Sequence, residues 1–405
     1  MKDKIIVFLK KILRIYRRFR AMLWYHKQRL IRDITARRYW KYPLQDKIVI
    51  ANFNGRGFGC NPKYIALELL RQKVPCEIVW LVEDMDTPMP QGIRKAPFEG
   101  PESYYELATA RVIINNVKGD LNWLKRKGQY YIQTWHGGFS FKLVEKDAIA
   151  VLPRDYISES KRNSRDTDLM LSGSRLQSRE YRRAFWCTCE ILEQGLPRND
   201  AYYNKTSAEI DQIRRSLNLT PETKVAMYAP TFRTGADTLE TYGLDMVRTL
   251  KLLRQYWGGE WVLFFRHHPN LHFSIDTSAE PGLMDVSEYP DMQELVLITD
   301  VLITDYSTTI FDAACLKKTI LLFAADLEEY RQLRGLHPVY DTLPYPTGYN
   351  NDEFADVIRN FNREEYTAKA DVFLEEFGSF EDGHASEAVV ARILERMEQG
   401  KSKGN

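Results

Sequence analysis

Apolar positions near the start of the chain recur at helical spacing. At about 100° per residue, Ile5, Phe8, Leu9, Ile12, Tyr16, Phe19 and Leu23 share one side of a helix, and Lys4, Lys10, Lys11, Arg14, Arg17 and Arg18 fall on the other. From Lys47 the rhythm changes to short apolar runs alternating with amphipathic segments, which predicts an α/β protein. Strands are expected at Ile48 to Phe53, Glu77 to Val82, Val112 to Asn115, Tyr130 to Thr134 and Leu169 to Ser172. A second series is expected at Lys224 to Tyr228, Val262 to Arg266, Val301 to Thr304 and Thr319 to Phe323. Lys205 to Pro221 reads as a polar helix and turn between the two series, and the tail after Asn350 as helices with a disordered end from Gln399 to Asn405. The economical arrangement is a basic segment (1–43) followed by two Rossmann-like domains, 44–204 and 205–398, facing a cleft.

The chain's 405 residues, 44% hydrophobic, supply enough apolar material for such cores and exclude a disordered polymer. The net charge of +2 hides an asymmetry, because residues 1–41 hold 14 Lys and Arg against two Asp, a net of +12, and the rest carries −10. The body therefore lacks the overall basic character of a nucleic-acid binder. A basic amphipathic opening suits an anionic membrane surface, the alternative being a helix packed on the body with a solvated basic face. No apolar run approaches the roughly 18–20 residues that span a bilayer, and Ile5 to Leu9 is too short for a signal peptide. Five Cys without a repeated C-x-x-C spacing fit a reducing cytosol, and Cys187-Thr-Cys189 reads as small buried side chains rather than a metal site.

Candidate chemistry gathers after the strands, where ligands of open parallel sheets bind. Asn54-Gly-Arg-Gly-Phe-Gly-Cys-Asn-Pro62 is a Gly-rich turn into a helix, with Asn61 expected as N-cap; it is either an anion cradle or a tight structural turn. Trp135-His136-Gly137-Gly138 exposes a His at a strand end, where it can transfer a proton or serve structure. Arg266-His267-His268-Pro269 places three cationic or titratable groups in a row; an anionic ligand, zinc and a solvated turn all remain open. Ser307, Thr308 and Thr309 lie at the first turn of a helix, where they can grip phosphate or cap the helix, and Asp312 one turn later can accept from a hydroxylated ligand.

Taken in order, these segments resemble the CDP-glycerol:poly(glycerophosphate) glycerophosphotransferase family, which builds teichoic acids and related capsular polymers. The matching pieces are Phe53 to Lys63, Gln133-Thr-Trp-His-Gly137, Gly195-Leu-Pro-Arg-Asn-Asp200, Tyr228-Ala-Pro-Thr-Phe-Arg233, Arg266-His-His-Pro269 and Ile303 to Asp312. Leu327 to Arg331, Arg334-Gly335 and Asp382-Gly383 carry the likeness almost to the end, so that it covers about residues 47–395. It implies a GT-B architecture and transfer of a polyol phosphate, most naturally glycerol phosphate, from a CDP-activated donor with release of CMP. Carried across by motif, Trp135, His136, Gly137, Arg198, Pro230, Thr231, Arg266, His267, His268, Ser307, Thr308 and Asp312 would contact the donor. His136 resembles the family's catalytic base and His268 its second essential His. The implied acceptor is a hydroxyl of a lipid-linked saccharide or polyol-phosphate polymer, reached from the cytoplasmic face of the membrane. No acidic cluster suggests a metal, and neither metal nor cofactor is expected. Where the family often continues W-H-G-T-P-L-K, this chain reads Trp135-His-Gly-Gly-Phe-Ser-Phe-Lys142, a difference beside the implied base. A GT-B glycosyltransferase using a nucleotide sugar, or a non-catalytic membrane-bound scaffold, are the alternative readings.

Overall fold

Residues 16, 20, 23–119, 121, 123–233, 242–267 and 275–402 are described by the computed structural model. Among them, thirteen strands make two all-parallel sheets. The first holds β1 (Gln45–Ala51), β2 (Glu77–Val82), β3 (Ile93–Pro97), β4 (Ala110–Asn115), β5 (Tyr130–Gln133), β6 (Leu169–Ser172) and β7 (Glu190–Glu193), in the order β3-β2-β1-β4-β5-β6-β7. The second holds β8 (Lys224–Tyr228), β9 (Trp261–Phe265), β10 (Leu283–Asp285), β11 (Val301–Thr304), β12 (Thr319–Phe323) and β13 (Thr347–Gly348), in the order β10-β9-β8-β11-β12-β13. Strand order reverses between β1 and β4 in one sheet and between β8 and β11 in the other, and such reversals open the crevices where these sheets bind ligands.

The continuous apolar runs follow from burial on both faces. In β1, Ile48 and Ile50 enter one core with Ile65, Ala66 and Leu69 of the helix Cys60–Arg71, while Val49 and Ala51 enter another with Phe98, Leu107 and Trp123. β8 repeats the device, Val225 and Met227 facing one side, Ala226 and Tyr228 the other. The polar helix expected between the sheets is Ser207–Ser216, opened by a capping box of Thr206 and Glu209.

Three placements differ from the sequence reading. The final helix, Ala385–Ser402, is ordered where a disordered end was expected from Gln399, and residues 403–405 lie outside the described set. Its Val389, Val390, Ile393 and Met397 cover the first sheet, so the second half of the chain returns to the first domain. At the other end, most of the basic stripe (1–15, 17–19, 21–22) lies outside the described residues. Residues 23–38 are helical and dock on the helix Arg154–Asp166: Tyr25 and Arg32 donate to Glu159, and Arg162 pairs with Asp33. Ala36 is buried on that side, while Leu23, Trp24, Leu30, Ile31 and Ile34 are exposed on the opposite side. Among the described residues no helix is long and apolar enough to cross a membrane.

Candidate active site

The two crevices face one another, and the motif after β5 spans the gap. Trp135 takes a left-handed φ of 54°, held there because its N–H donates to Gln133 Oε1 (2.9 Å) and its carbonyl accepts from Asn61 Nδ2 (3.1 Å). His136 is half-buried, and its Nδ1–H donates to the carbonyl of Asn116 at 2.8 Å, just past β4. That bond fixes the tautomer whose Nε2 carries the lone pair, as a general base requires. The His136 carbonyl accepts from Arg198 Nη1 (2.6 Å) and that of Gly137 from Gln177 Nε2 (2.7 Å), so the backbone is fastened on both sides of the ring. A Cβ on Gly137 would sit 3.1 Å from Thr308 Oγ1, so the absence of a side chain lets the His loop approach the second domain closely.

Across the gap, Pro230 and Thr231 follow β8, Arg266 and His267 follow β9, and Ser307 and Thr308 follow β11. Thr231 N–H donates to Asp305 Oδ1 (2.9 Å), and its buried hydroxyl has no hydrogen-bond partner among the described residues. Asp305 also accepts from Arg233 (2.7 Å), which makes a second ion pair with Asp326 and lies over the rings of Tyr306 and Tyr330. Arg266 spends Nη1 on the carbonyls of Val286 (2.6 Å) and Tyr289 (2.5 Å), and burial pulls its guanidinium below the usual value. His267 is buried, its N–H donating to Ser287 Oγ at 3.1 Å. His268 lies outside the described residues. Ser307 Oγ accepts from the N–H of Thr309 (3.3 Å) and donates to its hydroxyl (3.0 Å), a local turn contact, and the helix that follows, Thr309–Cys315 with Thr308 as N-cap, is under two turns long.

Arg198 and Asp312 occupy a different place from the one their motifs suggest. Both are buried, and Arg198 Nη2 reaches both Asp312 oxygens at 2.9 and 3.1 Å across the domain boundary. Burial raises the Asp312 carboxyl while the facing guanidinium pulls it back; on Arg198 burial is the largest influence and lowers the guanidinium, but Asp312 acting together with Cys60 and Tyr202 carries it above its usual value. The Asp312 oxygens expected to accept from donor hydroxyls are thus engaged by Arg198. Asn61, expected to cap its helix, lies inside the first turn with Gly59 as N-cap. Its amide instead donates to Thr134 and Trp135 carbonyls and accepts from Arg198 N–H.

The residues that depart from the family pattern are part of the packing. Phe139 and Phe141 are buried; Phe141 stacks on Phe311 (5.0 Å, 21°) and meets Tyr340 edge-on, which knits the first domain to the second. Cys187 and Cys189 are half-buried with sulfurs 3.1 Å apart, and among the described residues no group of three His, Cys, Asp or Glu could hold a metal. Sequence reasoning passed over Asn116 and Gln177, and it quoted Asp305 and Arg233 within motifs without giving either a role. Asn115-Asn116 closing an apolar strand was the available signal for the first, since a polar pair at a strand end marks a crevice.

A family model described as CDP-Glycerol:Poly(glycerophosphate) glycerophosphotransferase matches residues 34–395. The chain belongs to this family. It is 32% identical over 387 residues to a teichoic acid poly(glycerol phosphate) polymerase of Staphylococcus epidermidis, covering 89% of this chain and 54% of that protein. The chain thus spans about half the length of that relative, and it covers 49% of a Bacillus subtilis polymerase of the same description. With a teichoic acid glycerol-phosphate transferase of Staphylococcus aureus it shares 29% identity, over 87% of this chain and 94% of that one. The solved wall teichoic acid polymerase TagF superposes with a TM-score of 0.80 at 29% identity, covering 94% of this chain and 98% of that chain. The architecture is accordingly GT-B-like, with two parallel-sheet α/β domains.

Proposed function

We propose that this family member transfers a polyol phosphate, most naturally glycerol phosphate, from a CDP-activated donor to a hydroxyl of a polyol-phosphate chain or lipid-linked saccharide, in teichoic acid or capsular polymer synthesis. The observation that carries the reading is His136, its Nδ1 proton committed to the Asn116 carbonyl and its loop pressed against Thr308 of the facing domain. In the reaction, the acceptor oxygen attacks the polyol-bearing phosphorus, a new P–O bond forms, and the bond to the bridging oxygen breaks to release CMP. His136 Nε2 takes the acceptor proton. Arg266, Thr231 and Thr308 stand where charge builds on the diphosphate, and the family motif adds His268. A solved TagF variant soaked with CDPG supports the choice of donor, and the names of the polymerase relatives support the acceptor.

The exposed apolar side of helix 23–38 supports attachment to an anionic membrane at the cytoplasmic face, where a lipid-linked acceptor would be met. The test is CMP release from CDP-glycerol, CDP-ribitol and a panel of nucleotide sugars, with His136→Ala as control. CDP-glycerol turnover that falls about 10² to 10⁴-fold in the variant is the expected result. Turnover of a nucleotide sugar instead, or a variant within a few-fold of wild type, would overturn the reading.

A further inference from the structure

The Gly-rich turn after β1 has no task in the donor chemistry, yet it is built with unusual care. Phe53, Asn54 and Gly55 are left-handed in succession, at φ 43°, 60° and 94°, a conformation that a bulky side chain such as Phe rarely takes. A polar lattice holds it there. Phe53 N–H donates to Asn116 Oδ1 (2.8 Å), Asn116 Nδ2 donates to Asn52 Oδ1 (2.8 Å), and Asn52 Nδ2 donates to the Arg56 carbonyl (2.8 Å). The N–H groups of Gly55 and Arg56 both donate to the Asn52 carbonyl at 2.9 Å. Asn52 and Asn116 are buried, and a Cβ on Gly55 would come within 2.9 Å of Glu83 N, so the turn has no room to relax.

The product of this construction is an aromatic ring turned outward. Phe53 stays 38% exposed, and its ring meets that of His136 edge-to-face at 5.5 Å. It stands at the strand-order reversal between β1 and β4, whereas Thr231, Asp305, Ser307 and Thr308 stand at the separate reversal between β8 and β11. Two reversals facing one cleft suit two substrates, one per sheet. Polyols and sugars present C–H faces between their hydroxyls, and an exposed aromatic ring is the side chain that receives such a face.

Resting on the transferase reading above, we infer that Phe53 is the acceptor platform: the terminal polyol or sugar unit lays its C–H face on this ring, which brings the attacking hydroxyl to His136 Nε2. Asn52 and Asn116 are positioning residues that hold the ring outward.

The test uses the full chain, CDP-glycerol and a soluble glycerol-phosphate oligomer as acceptor. Phe53→Ala should raise the acceptor KM about tenfold, the scale of a lost aromatic contact. Phe53→Tyr should restore it, and neither change should alter the donor KM or the pH dependence of kcat. Phe53→Leu serves as the apolar, non-aromatic variant should Phe53→Ala fold poorly, with the same KM defect expected. An unchanged acceptor KM with a displaced pH profile would mean that Phe53 only buttresses His136, and would overturn the inference. If wild type releases no CMP from CDP-glycerol, the transferase reading itself has failed. Saturation-transfer NMR of the same oligomer then decides the platform separately: binding lost in Phe53→Ala upholds it, and equal binding refutes it.

Discussion

Removing Arg198 breaks the buried pair that ties the two domains, together with its hydrogen bond to the His136 carbonyl; the double variant with Asp312 separates the two losses. Arg198→Met keeps most of the side-chain volume and deletes the guanidinium, so that Asp312 faces an apolar, nearly dry environment. Side-chain exposure is only 6% on each partner, so solvent screens the pair little. Leaving one charge of such a pair uncompensated costs about 3–5 kcal/mol, more than the worth of the intact pair, because the remaining carboxylate must be desolvated alone. The double variant Arg198→Met with Asp312→Leu removes that penalty and should recover much of the loss. The sign with pH is also fixed. Burial already raises the Asp312 carboxyl, and without Arg198 it rises further. A carboxyl raised above its unfolded value stabilises the fold below the unfolded pKa and loses that contribution as pH rises through the folded one. The single variant should therefore be weakest at alkaline pH and gain stability as pH falls. Urea unfolding followed by tryptophan fluorescence at several pH values reads all three species. A single variant within about 1 kcal/mol of wild type, or a double variant no better than the single, would refute the reasoning.

Arg266→Lys should raise the donor KM with kcat less affected, since one ammonium cannot hold the Val286 and Tyr289 carbonyls as the guanidinium does and still face a diphosphate; an unchanged donor KM would contradict this. Transfer should persist in EDTA, because the groups assigned to the diphosphate are protein cations and hydroxyls; complete inhibition reversed by Mg²⁺ would count against it. Glu381 is pushed up to about 8 by burial, so its contribution to stability is present in acid and lost as pH rises through 8; Glu381→Gln should flatten the melting temperature over that range, the similar contribution of Glu180 remaining. Replacing Trp24, Leu30 and Ile34 by Ser should weaken co-sedimentation with anionic vesicles without unfolding the protein, because the docked side of that helix is untouched; undiminished binding would place the membrane contact elsewhere.

The interior of both sheets was legible in the sequence, and the margins were not, for one physical reason. The nine strands expected from apolar runs all form, several with the same ends. The four that were passed over, β3, β7, β10 and β13, are the four edge strands. An edge strand has one neighbour and meets more solvent, so Ile93-Arg-Lys-Ala-Pro97 and Glu190-Ile-Leu-Glu193 carry charges that break the run. The strand-end motifs were legible too, since hydrophobic pattern locates strand ends and polar residues there are conspicuous. What pattern cannot supply is a partner distant in the chain. Asn116 and His136 are 20 residues apart and meet only once β4 and β5 lie side by side, and Arg198 and Asp312, 114 apart, only once the two domains face one another.

The segment Gly195–Asp200 shows how a recognisable motif can act through position. Three consecutive polar side chains fasten three different parts of the molecule. Arg198 holds Asp312 of the second domain, Asn199 donates to Glu381 (2.9 Å), and Asp200 accepts from the first N–H groups of the final helix, at Ala385 and Ser386. The same Arg198 donates to the carbonyl of His136, and its own N–H reaches Asn61, which in turn holds the carbonyl of Trp135. The loop carrying the base is therefore referenced to the joint between the domains. A shift of that joint would move His136 relative to the facing Thr231 and Thr308, and near-attack geometry tolerates little such movement. Loss of Arg198 should consequently depress kcat as well as stability, although its guanidinium is turned toward the joint and the backbone of the base loop.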